Sequence, residues 1–436
     1  MAKRFKDLLI FLLAGVLVLV VVEFLLRSWD VYTGDLITPE VSQAFHSRGS
    51  RLHPFLGYTS HANIDRVAST ATGVEFHVKT NSHGFRTHEF YPKLPGQFRI
   101  LLMGDSFVFG NNVDDHGKLA SVLEDLTRRN ISAEIEVLSL GIASYSAVRY
   151  SVLADLYFDF LDPDMVIIAV DQSDFEEDLT RIAEYELRED GSPHYLKLGR
   201  AIQKRIREVN RVRLAVDPKR QLVVVPESNV LTRSLQFRLQ LGFSLVRRAT
   251  AFLWEDREEN PYRDGWREAE YRVVTYSQLV SQFGSPIPRK QVHALAGDTI
   301  LFDLDDALER YLPTLKSLSH IRDLCDETGI KLYLSSYPYP WMVSIESAVP
   351  YQLKYFENVV YDFRENRVHP RLMDAYSARL NVPHLNAYPL FERSHDDHYG
   401  DVDQHFNAKG YAAYGEFLFD SIEVDIRASL GARSTQ

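Results

Sequence analysis

Ser106 and His405 are the pair in this 436-residue chain whose surroundings are equipped for chemistry. Ser106 sits in Arg99-Ile-Leu-Leu-Met-Gly-Asp-Ser-Phe-Val-Phe-Gly110, and His405 in Asp403-Gln-His-Phe-Asn407. A serine hydroxyl is a weak nucleophile at neutral pH and must lose its proton as it attacks. Histidine is the usual acceptor because its pKa lies near the working pH, and a carboxylate fixes its tautomer. Ser106, His405 and Asp403 are therefore the candidate nucleophile, base and orienting acid. Asp403 and His405 are two residues apart, so the backbone between them must be loop for the carboxylate to reach the ring.

These groups need elements that bring chain ends together. Ile100–Met103 is an apolar run stopped by Gly104-Asp105, the pattern of a buried parallel strand with a turn at its carboxyl end. That edge of an open sheet is where ligands and reacting groups collect. Further strands are predicted at Ile135–Leu140, Met165–Val170, Lys331–Ser335 and Val382–Leu385. Helical patterns lie near Leu119–Arg129, Ala147–Leu161, Pro313–Glu327, Pro370–Leu380 and Ala408–Leu430. The alternation predicts an α/β domain over 98–178 and 305–430, a parallel sheet with helices on both faces. Residues 28–97 read as a β-rich stem in which Val74–Val78 alternates like a strand. Residues 179–304 break the rhythm and form a large insertion.

The Gly-Asp-Ser and Asp-x-His motifs together resemble those of the SGNH/GDSL hydrolases. Val137-Leu-Ser-Leu-Gly-Ile-Ala-Ser144 is similar to that family's second block, Asn-x-Gly-x-x-Gly, with Ser139 at the asparagine, Gly141 at the first glycine and Ser144 at the second. Asp171-Gln-Ser-Asp174 resembles the third block, Gly-x-Asn-Asp: Asp174 is kept and Ser173 replaces the asparagine. Asn81–Arg86 is similar to the segment that precedes the first block in membrane-anchored bacterial members. The resemblance implies a flavodoxin-like sheet, Ser106, Asp403 and His405 as the catalytic residues, and no cofactor or metal. It also implies an oxyanion hole from Ser106, Ser144 and Ser173, with Gly141 as an alternative donor in the second block. Ser173 is also placed to cap a helix opening at Phe175. For Arg86, anchoring the stem is favoured over contacting substrate.

The amino terminus sets a location. Lys3, Arg4 and Lys6 precede Leu8–Leu26, broken only by Glu23, and at about 1.5 Å per residue this reaches the roughly 30 Å of a bilayer core. No small-x-small cleavage site follows, so 8–26 is read as a transmembrane signal anchor and 1–7 as a cytoplasmic tail. The expected product is a single-pass inner-membrane protein whose catalytic domain faces the periplasm. The formal charge of −11 disfavours nucleic acid as a general partner. Cys325, the sole cysteine, shares a helical face with Leu318 and Ile321 and reads as a buried thiol.

His395, Asp396, Asp397, His398, Asp401, Asp403 and His405 are metal-ligand types crowded together, and are read as a solvated acidic loop in preference to a metal site. Basic Arg200–Arg220 reads as a solvated face, with an anionic glycan or headgroup as the alternative, and Ser234–Val246 as a helix. Tyr185, Tyr195, Trp254, Tyr262, Trp266, Tyr271 and Tyr276 of the insertion are candidates for stacking on sugars.

Two functions compete. One is an extracytoplasmic serine esterase or O-acyltransferase acting on acetyl esters of an envelope or exported polysaccharide, alongside the machinery that handles that polymer. The other is a non-catalytic polysaccharide-binding or assembly protein with an eroded site.

Overall fold

The computed structural model describes residues 50–53, 55–70, 73–196, 212–216, 222–226, 271–285, 287, 302–353, 359–394, 397–400 and 403–434. The expected cytoplasmic tail and membrane anchor lie outside these residues. So do most of the basic segment and all of Ser234–Val246. Among the described residues no helix is long and apolar enough to cross a membrane. The chain divides into two units, Met1–Pro54 with Leu198–Asp256, and Phe55–Lys197 with Arg257–Gln436. Of the first, an antiparallel hairpin joins Val212–Val216 to Leu222–Pro226.

The second unit is built on five parallel strands: β1 (Phe98–Met103), β2 (Ile135–Ser139), β3 (Met165–Val170), β4 (Lys331–Ser336) and β5 (His384–Asn386). Their spatial order is β5-β4-β3-β1-β2, the 2-1-3-4-5 order of flavodoxin-like sheets, which switches direction between β1 and β3. All six residues of β1 and of β3 are buried; β3 accordingly reads as an unbroken apolar run, and β1 does from Ile100 on, its buried Arg99 being paired with Glu136. Fully burying one such aliphatic side chain contributes ~1.5–3 kcal/mol.

Helices cover both faces. α2 (Leu119–Asn130) and α7 (Ala408–Ser434) pack together. Leu119, Leu123, Tyr414, Leu418 and Ile422 share one core with Ile100, Leu102, Val137 and Ile167. Side chains alternate across a strand, so Leu101, Leu138, Val166 and Ile168 face the other way. There α3 (Ala147–Leu161) packs on α5 (Leu312–Thr328), and α5 on α6 (Val368–Leu380). Cys325 is buried on α5, and burial pushes its thiol up to about 12.

The lead-in to β1 is part of this unit. Asp65–Ser69 and Glu75–Lys79 form an antiparallel hairpin. In the turn that follows, Asn81 Oδ1 accepts from the His83 and Phe85 N–H groups at 3.0 and 2.9 Å. Arg86 is fully buried and acts as a staple. Its guanidinium donates to Asp115 Oδ1 at 2.8 Å, to Val113 O at 2.8 Å, and to the carbonyls of Gly110 and His77. The expected anchoring role is the observed one.

Candidate active site

Ser106 opens a one-turn helix, α1 (Ser106–Phe109), at the carboxyl end of β1. Asp105 caps it, accepting from Phe107 N–H at 2.9 Å, and Gly110 closes it in the left-handed conformation. Gly104 is required by close approach: a Cβ there would lie 2.3 Å from Val108 and 3.1 Å from the Ala169 carbonyl oxygen. The turn leaves Ser106 facing the edge of the sheet at its direction switch.

His405 arrives from the far end of the chain. The segment before α7 folds back on itself, with Tyr399 bridged to Phe406 and Gly400 N–H donating to His405 O at 2.9 Å. Asn407 secures both sides of this loop, donating to Tyr399 O at 3.0 Å and accepting from Gly410 N–H at 3.0 Å. Asp403 and His405 thus lie in loop, as their spacing demands. His405 Nε2 stands 2.6 Å from Ser106 Oγ, and Nδ1 is hydrogen-bonded to Asp403 Oδ1. The same Oδ1 accepts from His405 N–H at 2.9 Å. The ring packs on Phe107, centroids 4.7 Å apart.

Electrostatics suit a base. Burial pulls His405 down, but Asp403 outweighs it through charge and hydrogen bond, with Asp105 and Asp171 adding to the effect, and the imidazole ends above its ordinary value. Burial likewise opposes the charge on Asp403, yet His405 and the neighbouring Asn112 amide hold it far below the usual carboxylate range.

A second layer lies beneath Ser106. Tyr337 OH donates to Asp105 Oδ1 at 3.0 Å, and Tyr339 OH to Asp171 Oδ2 at 2.6 Å. Burial and the nearby Asp171 push Asp105 well above the carboxylate range. Its Oδ2 is 3.0 Å from Ser106 Oγ.

Of the expected oxyanion donors, the Ser106 and Ser144 N–H groups have no partner among the described residues. Ser144 takes a left-handed φ of 57°, as its alignment with a family glycine implies. Tyr58 OH donates to Ala143 O at 2.7 Å. Because the peptide is trans and planar, that bond aims the Ser144 N–H away from Tyr58. Gly141 is disfavoured as the donor, since its N–H goes to Ser139 Oγ at 3.3 Å. A Cβ at Gly141 would fall 2.4 Å from Phe109 N, so glycine there lets β2 meet α1.

Ser173 is differently employed. Its hydroxyl donates to Asp171 Oδ1 at 2.7 Å and so does not stand free for an oxyanion. Nor is it the helix cap: Asp171 caps α4 (Gln172–Arg181), accepting from the N–H groups of Ser173 and Asp174. A cap must precede the first turn, and the helix starts earlier than Phe175.

His398 Nε2 is bonded to Ser394 Oγ at 2.7 Å, while His395, Asp396 and Asp401 lie outside the described residues. Among the described residues no group of three or more His, Cys, Asp or Glu is placed to hold a metal. Of the insertion aromatics, Tyr185 is fully buried, Tyr276 is partly buried and Tyr271 is exposed. The side chains of Tyr195, Trp254, Tyr262 and Trp266 lie outside the described residues.

Behind the loop after β2, burial pushes Glu177 up to about 8 against the pull of Arg181 and Arg149. A raised carboxyl binds more protons folded than unfolded. Its contribution to stability is therefore full below about 4.5 and lost as pH rises through about 8. Glu177→Gln, which cannot ionise, is expected to melt near the wild type at low pH and above it in alkali. Thermal melts across that range check this, and an equal difference at both ends refutes it.

A serine, a histidine and a carboxylate in hydrogen-bond sequence, on a flavodoxin-like sheet with the serine after its first strand, are what the SGNH/GDSL resemblance implies. Among solved structures the chain is similar in fold to a GDSL-like lipase from Bacteroides thetaiotaomicron (10% identity, 77% of this chain and 92% of that one, TM-score 0.33). It is similar likewise to a lipase/acylhydrolase from Enterococcus faecalis (12%, 76% and 97%, TM-score 0.32). A third is an acetyl xylan esterase (10%, 74% and 100%, TM-score 0.34). No family model and no curated protein matches the chain.

Proposed function

We propose that this protein is a serine esterase working through an acyl-serine intermediate. The observation that carries the reading is the hydrogen-bonded chain from Ser106 Oγ through His405 to Asp403. Ser106 Oγ attacks the ester carbonyl carbon as its proton passes to His405 Nε2. Collapse of the tetrahedral intermediate breaks the carbon–oxygen bond, and the departing oxygen takes that proton. Water, or a hydroxyl acceptor, then gives a proton to Nε2 and attacks the acyl carbon, and collapse returns the proton to Ser106. Hydrolysis and transfer differ only in that acceptor. The N–H groups of Ser106 and Ser144 are the oxyanion donors in this reading, and Ser173 joins them only by releasing Asp171.

The finer reading is an acetyl esterase or O-acyltransferase of an envelope or exported polysaccharide, held outside the cytoplasmic membrane by residues 8–26. It is supported by the basic residues before that apolar stretch, by the Asn81–Arg86 segment, and by the exposed Tyr271. Ser173's bond to Asp171 favours the competing reading, a binding or assembly protein that has lost activity. Removing one oxyanion donor typically costs about 10²–10³ in rate, which weakens a serine enzyme without silencing it.

The test uses the full chain with a fluorophosphonate probe, and then with acetylated glycan or with an acetyl donor plus bare glycan. Labelling at Ser106 with acetate release or a gain in glycan mass is expected. Cleavage of small esters alone removes the polysaccharide, and no labelling removes the enzyme. A phosphatase fused after Gln436 is expected to be active outside the cytoplasm, and activity of a cytoplasmic reporter fused at the same point removes the location.

A further inference from the structure

We propose that Asn111 binds the alcohol oxygen of this reaction: the departing oxygen of the ester in the first half, and the oxygen of water or a hydroxyl acceptor in the second. The proposal rests on the serine-esterase reading above. Asn111 Nδ2 lies 3.4 Å from His405 Nε2, the nitrogen that stands 2.6 Å from Ser106 Oγ. An amide contact of that length is a poor hydrogen bond, and Ser106 already occupies the imidazole lone pair. The Asn111 amide therefore still has hydrogen to give.

Its position says to what. Nε2 hands a proton to the departing oxygen and takes one from the incoming oxygen. Each must come within about 2.6–3.2 Å of Nε2 to exchange it. A donor beside the same nitrogen meets that oxygen, and not the carbonyl oxygen, which never exchanges a proton with His405. Ser173, at the position where the resemblance expects a side-chain amide, is committed to Asp171. Among the described residues, Asn111 presents a side-chain amide that does reach the Ser106–His405 pair.

The backbone holds it there independently of its side chain. Asn111 N–H donates to Ser106 O at 3.2 Å, and Tyr411 OH donates to Asn111 O at 3.3 Å. On either side of it, Arg86 grips the carbonyls of Gly110 and Val113. These anchors survive Asn111→Ala and Asn111→Leu, so both variants keep the loop.

A donor to a departing alkoxide matters most when that alkoxide is basic. The experiment measures kcat/KM of the full chain and both variants on acetate esters that share the acyl group, from 4-nitrophenyl to ethyl. Loss of the donor is expected to cost about 10–100-fold on ethyl acetate but less than about 3-fold on 4-nitrophenyl acetate. The dependence on leaving-group pKa steepens, while fluorophosphonate labelling of Ser106 keeps its rate. Equal losses across the series, or none, overturn the Asn111 assignment and leave the esterase standing. A wild-type chain that neither cleaves any member nor labels overturns both.

Discussion

Ser106→Ala is expected to lower kcat on a small acetyl ester by roughly 10⁵–10⁶-fold, because members of a nucleophile–base–acid unit act together. What survives is the catalysis that binding and oxyanion donors supply alone. The fold should not notice. Asp105, not Ser106, caps α1, and the bonds from Gly110 and Asn111 to Ser106 use its backbone carbonyl. The side chain's partners are His405 and Asp105, both of which have other hydrogen bonds. Steady-state rates and a thermal melt on the same preparation check this. Full turnover in the variant removes Ser106 as nucleophile, and a large fall in melting temperature makes its role structural.

The elements that carry this site are local patterns, and local patterns can be read from sequence. Ile100–Met103 is apolar throughout because β1 is covered on both faces, and the stop at Gly104-Asp105 marks where the chain turns. The last strand is offset for a local reason too. Val382 and Pro383 look like strand, but Pro383 offers no N–H, only a carbonyl that accepts from Leu334 N–H, so the ladder begins at His384. The groups that escaped sequence reading have distant partners. Tyr337 and Tyr339 follow β4, and their hydroxyls meet Asp105 and Asp171 from 232 and 168 residues away. Nothing in Ser335-Ser-Tyr-Pro-Tyr339 announces this. A clue existed: Asp171 follows β3 as Asp105 nearly follows β1, both at the carboxyl edge beside the direction switch. Asn111 gave less, since Gly110-Asn-Asn112 reads as an ordinary turn. For Ser173 neither the alignment nor the capping pattern shows that its neighbour Asp171 decides where its hydroxyl points.

His405→Ala is expected to cost about as much as Ser106→Ala, and Asp403→Asn less, about 10⁴-fold, because an amide N–H donating to Nδ1 favours the wrong tautomer of the ring yet leaves the imidazole in place. The pH profile separates the two roles. His405 works as a base only when neutral, so kcat/KM must rise with pH through its titration. Burial lowers that value and Asp403 raises it further than burial lowers it, so the wild-type midpoint lies above the ordinary imidazole value. In Asp403→Asn the charge is gone and the burial remains, so the midpoint moves down. The residual activity of this variant persists to lower pH than that of the wild type, even as its plateau falls. A profile measured on one acetyl ester, with labelling of Ser106 as a second readout, decides the matter. If the midpoint stays or rises, Asp403 is not the partner that sets the imidazole. If Asp401→Asn is the more damaging change, the orienting carboxylate lies two residues earlier, and the pairing of Asp403 with His405 does not carry the chemistry.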